Sequence, residues 1–132
     1  MPATAILLAA TFSLCTSAPR TTCVVDGDTI WLNGEKIRIA DINTPETHRP
    51  GCTFEKTLGN AATLRLVALL NDGPFELKKT GRNRDRYGRL LRTVTRNGAS
   101  LGDQLVAEGL AERWSGKRSN WCPARNTKNG QG

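Results

Sequence analysis

The stretch Cys23-Val24-Val25-Asp26-Gly27-Asp28-Thr29-Ile30-Trp31-Leu32-Asn33-Gly34-Glu35-Lys36-Ile37-Arg38-Ile39 sets β-rich runs on both sides of an Asn-Gly pair. Such a pair supplies the left-handed backbone of a two-residue turn, so the runs are expected to fold back on each other as a hairpin. The polar turn Asp26-Gly27-Asp28 interrupts the first run, which makes three strands of the whole. Alternation puts Ile37 and Ile39 on one face and Arg38 on the other. It breaks near Asp41, and Pro45, which has no N–H for a ladder, ends strand structure at the loop Asn43-Thr44-Pro45-Glu46.

Working outward, Leu58, Ala62, Leu66 and Leu69 recur at helical spacing between Glu55 and Leu70, and Asn71-Asp72-Gly73-Pro74 stops the pattern. Phe75 to Lys79 and Arg89 to Thr95 read as short strands, and Arg96-Asn97-Gly98 as a turn. Ser100-Leu101-Gly102-Asp103 resembles a capping box and opens a second helix carrying Leu105, Val106 and Leu110. Three strands, a helix, two strands and a helix give an α+β protein, mainly β. Five short strands with an interposed helix suit a Greek-key barrel of the OB type with about two helices.

With 132 residues the chain has room for one domain. The apolar run from Ala5 to Leu14 is too short to span a bilayer, and the small residues Thr16-Ser17-Ala18 follow it. Residues 1–18 therefore read as a signal peptide of an exported protein, with the domain at 19–122 and a polar tail at 123–132. The competing reading of the run is a buried N-terminal strand or helix. Cys52 with Cys122 is the pair expected to close a disulfide in an exported chain, although spacing leaves the connectivity of Cys15, Cys23, Cys52 and Cys122 open. Cleavage after Ala18 would leave one odd thiol.

Lysine and arginine number 19 against 12 acids, a net charge of +7 that favours anionic partners. The excess is local: Lys78 to Arg96 holds eight basic side chains and Asp85 as the one acid, and the rest of the chain balances. Six of the eight are arginine, whose planar fork binds phosphate bidentately. One histidine and no Cys-x-x-Cys argue against a His/Cys zinc site or a Ser-His-Asp triad. If the first three strands curl together, Asp26 and Asp28 can meet Asn43, Thr44 and Glu46. Carboxylate, amide and carbonyl oxygens are the hard ligands that Ca²⁺ takes. A carboxylate there could deprotonate a water while arginines hold a phosphate.

Four motifs in order, Val25-Asp26-Gly27-Asp28-Thr29, Lys36-Ile37-Arg38-Ile39, Asn43-Thr44-Pro45-Glu46-Thr47 and Asp85-Arg86-Tyr87-Gly88-Arg89, resemble the thermonuclease (staphylococcal nuclease) family. Leu105 to Ala111 is similar to that family's second helix. The resemblance implies an OB-fold, Ca²⁺-dependent phosphodiesterase that acts on DNA and RNA, single-stranded or frayed, leaves 3′-phosphate ends and works as a monomer. It implies Asp28 as metal ligand, Thr44 as a ligand through its backbone carbonyl, Glu46 as general base, and Arg38 and Arg89 as the phosphate-binding arginines. Tyr87 resembles the family's substrate-contacting tyrosine, and Arg86 beside it is assigned to substrate as well. Asn43 departs from the pattern, since the family has a second metal-binding aspartate there. Losing that charge is expected to weaken Ca²⁺ binding, with Asp41 or Asp26 as candidates to compensate. The family's last helix looks shortened or absent, with Trp114 and Trp121 as stacking replacements.

Two other functions compete with a nuclease. A non-catalytic OB-fold binder of single strands would normally use aromatic platforms, yet aromatics are only 5% of the chain. A protein adhering to anionic envelope or membrane polymer would have no use for Arg38 or Glu46.

Overall fold

Both Asn-Gly pairs turn the chain as expected. Asn33 and Asn97 take φ of 51° and 54°, and the glycines after them 83° and 81°, the left-handed pairs of tight hairpin turns. The computed structural model describes residues 7–123; most of the expected tail lies outside the described residues, as does the start of the expected leader. The five expected strands are β2 (Cys23–Asp26), β3 (Thr29–Leu32), β4 (Glu35–Ile39), β6 (Glu76–Lys78) and β7 (Leu90–Arg96). Four two-residue strands add to them: β1 (Ser13–Leu14), β5 (Ile42–Asn43), β8 (Ala99–Ser100) and β9 (Glu112–Arg113). The helices are α1 (Thr53–Asn71) and α2 (Leu101–Ala107). Leu110, expected on the second helix, lies past its end, where its N–H bonds back to the Leu105 carbonyl at 2.9 Å.

The strand order is β1-β2-β3-β4-β7-β6, with β8 on β7 and a separate β5-β9 pair. β4 and β7 run parallel, so the chain must cross over between them, and it does so through α1. Among the described residues no ladder joins β6 back to β2, so the sheet is a mixed, open one rather than a hydrogen-bonded closed barrel. The OB type is itself only partly closed, and the α+β class stands.

The core forms between the curled sheet and α1, from Val24, Ile30, Ile37, Ile39, Leu66, Leu70, Phe75, Val94 and Leu105, each essentially inaccessible. Leu58, expected with the helix's apolar stripe, is only half-buried. The segment expected to be a leader joins this core. Phe12 is buried against Phe75 with ring centroids 6.0 Å apart, and Leu8 exchanges backbone hydrogen bonds with Phe75. β1 adds in parallel to β2, and Cys15 is bonded to Cys23. A cut after Ala18 would therefore remove the Phe12 ring, one strand and half of a disulfide. Cys52 and Cys122 form the second bridge, and no cysteine among the described residues is free.

Candidate active site

The two polar loops meet, and a glycine allows it. β2 carries a register shift between Val24 and Asp26, which re-aims the turn that follows. A Cβ at Gly27 would stand 2.7 Å from Thr44 Cγ2 and 2.9 Å from Ala62 Cβ, so only glycine lets the turn lie against the 43–46 loop and α1. The Thr44 N–H donates to Asp28 Oδ2 at 3.0 Å, and the Thr29 hydroxyl to Oδ1 at 3.0 Å. Burial opposes ionisation of Asp28, yet the Arg38 guanidinium and hydrogen bonds from Asp26, Thr44 and Thr29 outweigh it and hold its carboxyl below the usual value. Asp26, bonded to the Asp28 N–H, is pushed up to about 8 by burial and then by the Asp28 charge.

Asn43 is fully buried. Its Nδ2 donates to Glu112 Oε2 at 2.9 Å, while its Oδ1 and the Thr44 hydroxyl have no hydrogen-bond partner. Leaving a buried polar atom unpaired costs about 1–3 kcal/mol, so these two oxygens hold accepting capacity that the fold itself does not use. Among the described residues no three His, Cys, Asp or Glu side chains converge on a metal position. The Asp28 carboxylate, the Asn43 amide oxygen and the Thr44 hydroxyl are all oxygen donors, low in charge, and of the kind a hard cation completed by water or phosphate takes; the Thr44 carbonyl expected as a ligand belongs to the same loop. Of the two aspartates expected to compensate for Asn43, only Asp26 stands in this cluster. Asp41 is used elsewhere, its Oδ2 accepting from the Ser100 hydroxyl at 2.6 Å beside the start of α2.

Asp28, Asn43 and Thr44 do not line the neighbouring cleft of about 820 Å³, which reaches the cluster through Arg38. Lys36, Arg38, Arg82, Arg86, Arg89 and Arg118 line it, with Asp85 as the one acid, beside Tyr87 and Trp114. Arg38 links cleft and cluster. Although alternation sets it opposite Ile37 and Ile39, it is buried too, because its guanidinium finds polar partners. It donates to the Ile39 and Ile42 carbonyls, lies 3.6 Å from Asp28 Oδ2 and sits under the Trp114 ring. Arg89 is held by Asp85 through Nε at 2.7 Å. Tyr87 is exposed, with Arg86 and Arg89 over its ring and Arg86 bonded to its hydroxyl. The charged segment is not one phosphate strip, however. Arg84 pairs with Glu35, Arg92 with Asn83, and Arg96 donates to the Leu69, Gly73 and Pro74 carbonyls at the end of α1.

Glu46 stands outside the lining of the cleft, ion-paired to Arg118 at 2.7 Å. Its backbone N–H donates to Glu55, a buried residue of the first turn of α1 that also accepts from Gly51. A Cβ on Gly59 would stand 2.7 Å from the Pro45 carbonyl, so α1 packs directly under this loop. Cys52 caps α1 and is bonded to Cys122, tethering the segment that brings Arg118 to Glu46 and Ser119 to Glu112. Glu55, Glu112, Arg118 and Ser119 were missed from the sequence. The position of Glu55 three residues after the cap is a usable helix-start signal. Glu112 meets Asn43 across 69 residues, and nothing local announces it.

These observations define a class first: an OB-type α+β domain whose arginine-walled cleft suits a phosphate polyanion. Residues 36–127 match the family model described as staphylococcal nuclease homologue, and the chain belongs to that family. Over 92 residues it is 40% identical to the endonuclease YncB of Bacillus subtilis (strain 168), covering 66% of this chain and 43% of that protein. It is equally identical, 40%, to the SPbeta prophage-derived endonuclease YokF of the same strain, covering 66% of this chain and 31% of that one. It is 33% identical to the thermonuclease of Staphylococcus intermedius, covering 67% of this chain and 54% of the other. The chain thus spans about a third to a half of the length of the curated relatives it matches.

Proposed function

We propose that this domain is an exported, Ca²⁺-dependent nuclease that hydrolyses phosphodiester bonds of DNA and RNA and leaves 3′-phosphate ends. The observation that carries this is the contact of Arg38 with Asp28, which joins the basic cleft to the buried oxygen cluster. Asp28, Asn43 and Thr44 would hold the ion. When bound, Ca²⁺ supplies charge neutralisation and polarisation at the phosphate. Arg38 and Arg89 clamp the scissile phosphate and stabilise the charge that grows on its oxygens. Tyr87 and Arg86 meet the neighbouring nucleotide. Glu46 accepts a proton from the attacking water as the new P–O bond forms and the P–O5′ bond breaks; the 5′ oxygen leaves with a proton from solvent. Two disulfides favour an oxidising compartment, and no described helix is long and apolar enough to cross a membrane.

Glu46→Gln tests the assignment. It removes the proton acceptor while keeping the side chain's shape, so single-stranded DNA should bind as before and turnover should fall about 10²–10⁴-fold. Wild-type turnover in the variant would contradict the role given to Glu46. Tight binding with no cleavage by the wild-type protein would instead identify a single-strand binder.

A further inference from the structure

Strands β5 and β9 form a two-residue ladder whose register sets Asn43 directly opposite Glu112. From that pairing we propose that Glu112 is a positioning residue for the metal site, holding the Asn43 amide so that its oxygen faces away from Glu112 and stays free for a cation. The inference deepens the Ca²⁺-dependent reading above and rests on it. An amide's two ends are chemically opposite, and an anionic neighbour admits only the NH₂ end. With Nδ2 given to Glu112, Oδ1 is left buried and unpartnered. The next N–H in the chain, that of Thr44, bonds Asp28, so the Asn43–Thr44 segment lies against the carboxylate that would share the ion. Glu112 is itself fixed, accepting from the Ser119 N–H at 3.1 Å and from the Ser119 hydroxyl.

Asn43 with Glu112 keeps one carboxylate beside the site, set one residue back from the ligand position. An aspartate at 43 would face Glu112 carboxylate to carboxylate, and like charges directly opposite each other destabilise a ladder. Asn43 and Glu112 therefore belong together, and Asn43→Asp alone does not simply restore a missing ligand.

The test uses Glu112→Ala, Glu112→Gln, Asn43→Asp and the double variant Asn43→Asp/Glu112→Gln. Calorimetry measures Ca²⁺ binding without nucleic acid, and thermal melting is recorded in chelator. Glu112→Ala should weaken Ca²⁺ binding about 10–100-fold, the usual effect of removing a group that orients a ligand. Glu112→Gln, which can still accept from the amide, should lose less. In chelator, Asn43→Asp should melt below wild type, and adding Glu112→Gln, which can donate to the new carboxylate, should raise the melting temperature again. Wild-type Ca²⁺ affinity in Glu112→Ala would overturn the positioning role alone. If Glu112→Ala does not fold, a melting temperature of Asn43→Asp equal to wild type and unmoved by Glu112→Gln overturns it. No Ca²⁺ binding by the wild-type protein would sink the metal-dependent reading beneath it as well.

Discussion

Asp85 organises the far wall of the cleft. Its Oδ1 accepts the backbone N–H groups of Tyr87 and Arg89 at 2.9 and 3.0 Å, and its Oδ2 takes Arg89 Nε. One carboxylate thus shapes the loop and aims the guanidinium assigned to phosphate. Asp85→Asn keeps the size but not the charge, and kcat/KM should fall about 10–100-fold through misplacement of Arg89; unchanged kinetics would remove Asp85 from this role. Burial opposes ionisation of Asp85, but the hydrogen bonds and charge of Arg89 outweigh it, so its folded value lies below the ordinary 3.8. Its stabilising contribution is therefore present above the ordinary carboxylate range and lost as pH falls through the lowered value. The amide resonances of Tyr87 and Arg89 should shift together in that acid window in wild type and not in Asp85→Asn. At this scale the residues inside contiguous motifs were legible, because a motif keeps its own geometry. The partners that orient them were not. Asp85 reads in the sequence as the one acid of a basic segment and a member of its motif, with nothing to show which groups it holds, and Glu112 and Arg118 reach the site through contacts no local pattern records.

Turns made most elements readable. Asn33-Gly34 and Asn97-Gly98 dictate hairpins by backbone preference alone, and Ser100 caps α2 by accepting the Asp103 N–H as its spacing suggests. The N-terminal segment was ambiguous for a physical reason: a short apolar run followed by small residues serves a leader and a buried strand equally well. Here it is used by the fold, with Asn71 at the end of α1 bonding both the N–H and the carbonyl of Phe12. Deleting residues 1–18 should cost at least about 3 kcal/mol from the lost Phe12 burial alone, with more from the lost Cys15–Cys23 bridge. Comparing melts of the two proteins in non-reducing buffer measures this, and equal melting temperatures would show that the segment contributes nothing. The β5-β9 pair had no sequence signal, because two-residue strands carry no period to detect.

On the scale of the molecule, the net charge of +7 located the partner class but not the site. Arg84, Arg92 and Arg96 are spent on Glu35, Asn83 and the end of α1, while the cleft draws Lys36, Arg38 and Arg118 from other parts of the chain. Counting charges along a sequence cannot separate those that pair within the fold from those left facing solvent. What the fold assembles is a basic cleft joined through Arg38 to a buried cluster of oxygens low in charge, where a cation would complete its shell with water or phosphate. The most direct measurement incubates the purified wild-type chain with single-stranded DNA in Ca²⁺ and, in parallel, in chelator, and reads the products by mass spectrometry. Fragments ending in 3′-phosphate in Ca²⁺, with intact DNA in chelator, are the expected result; intact DNA in both, or equal cleavage in both, would contradict the account.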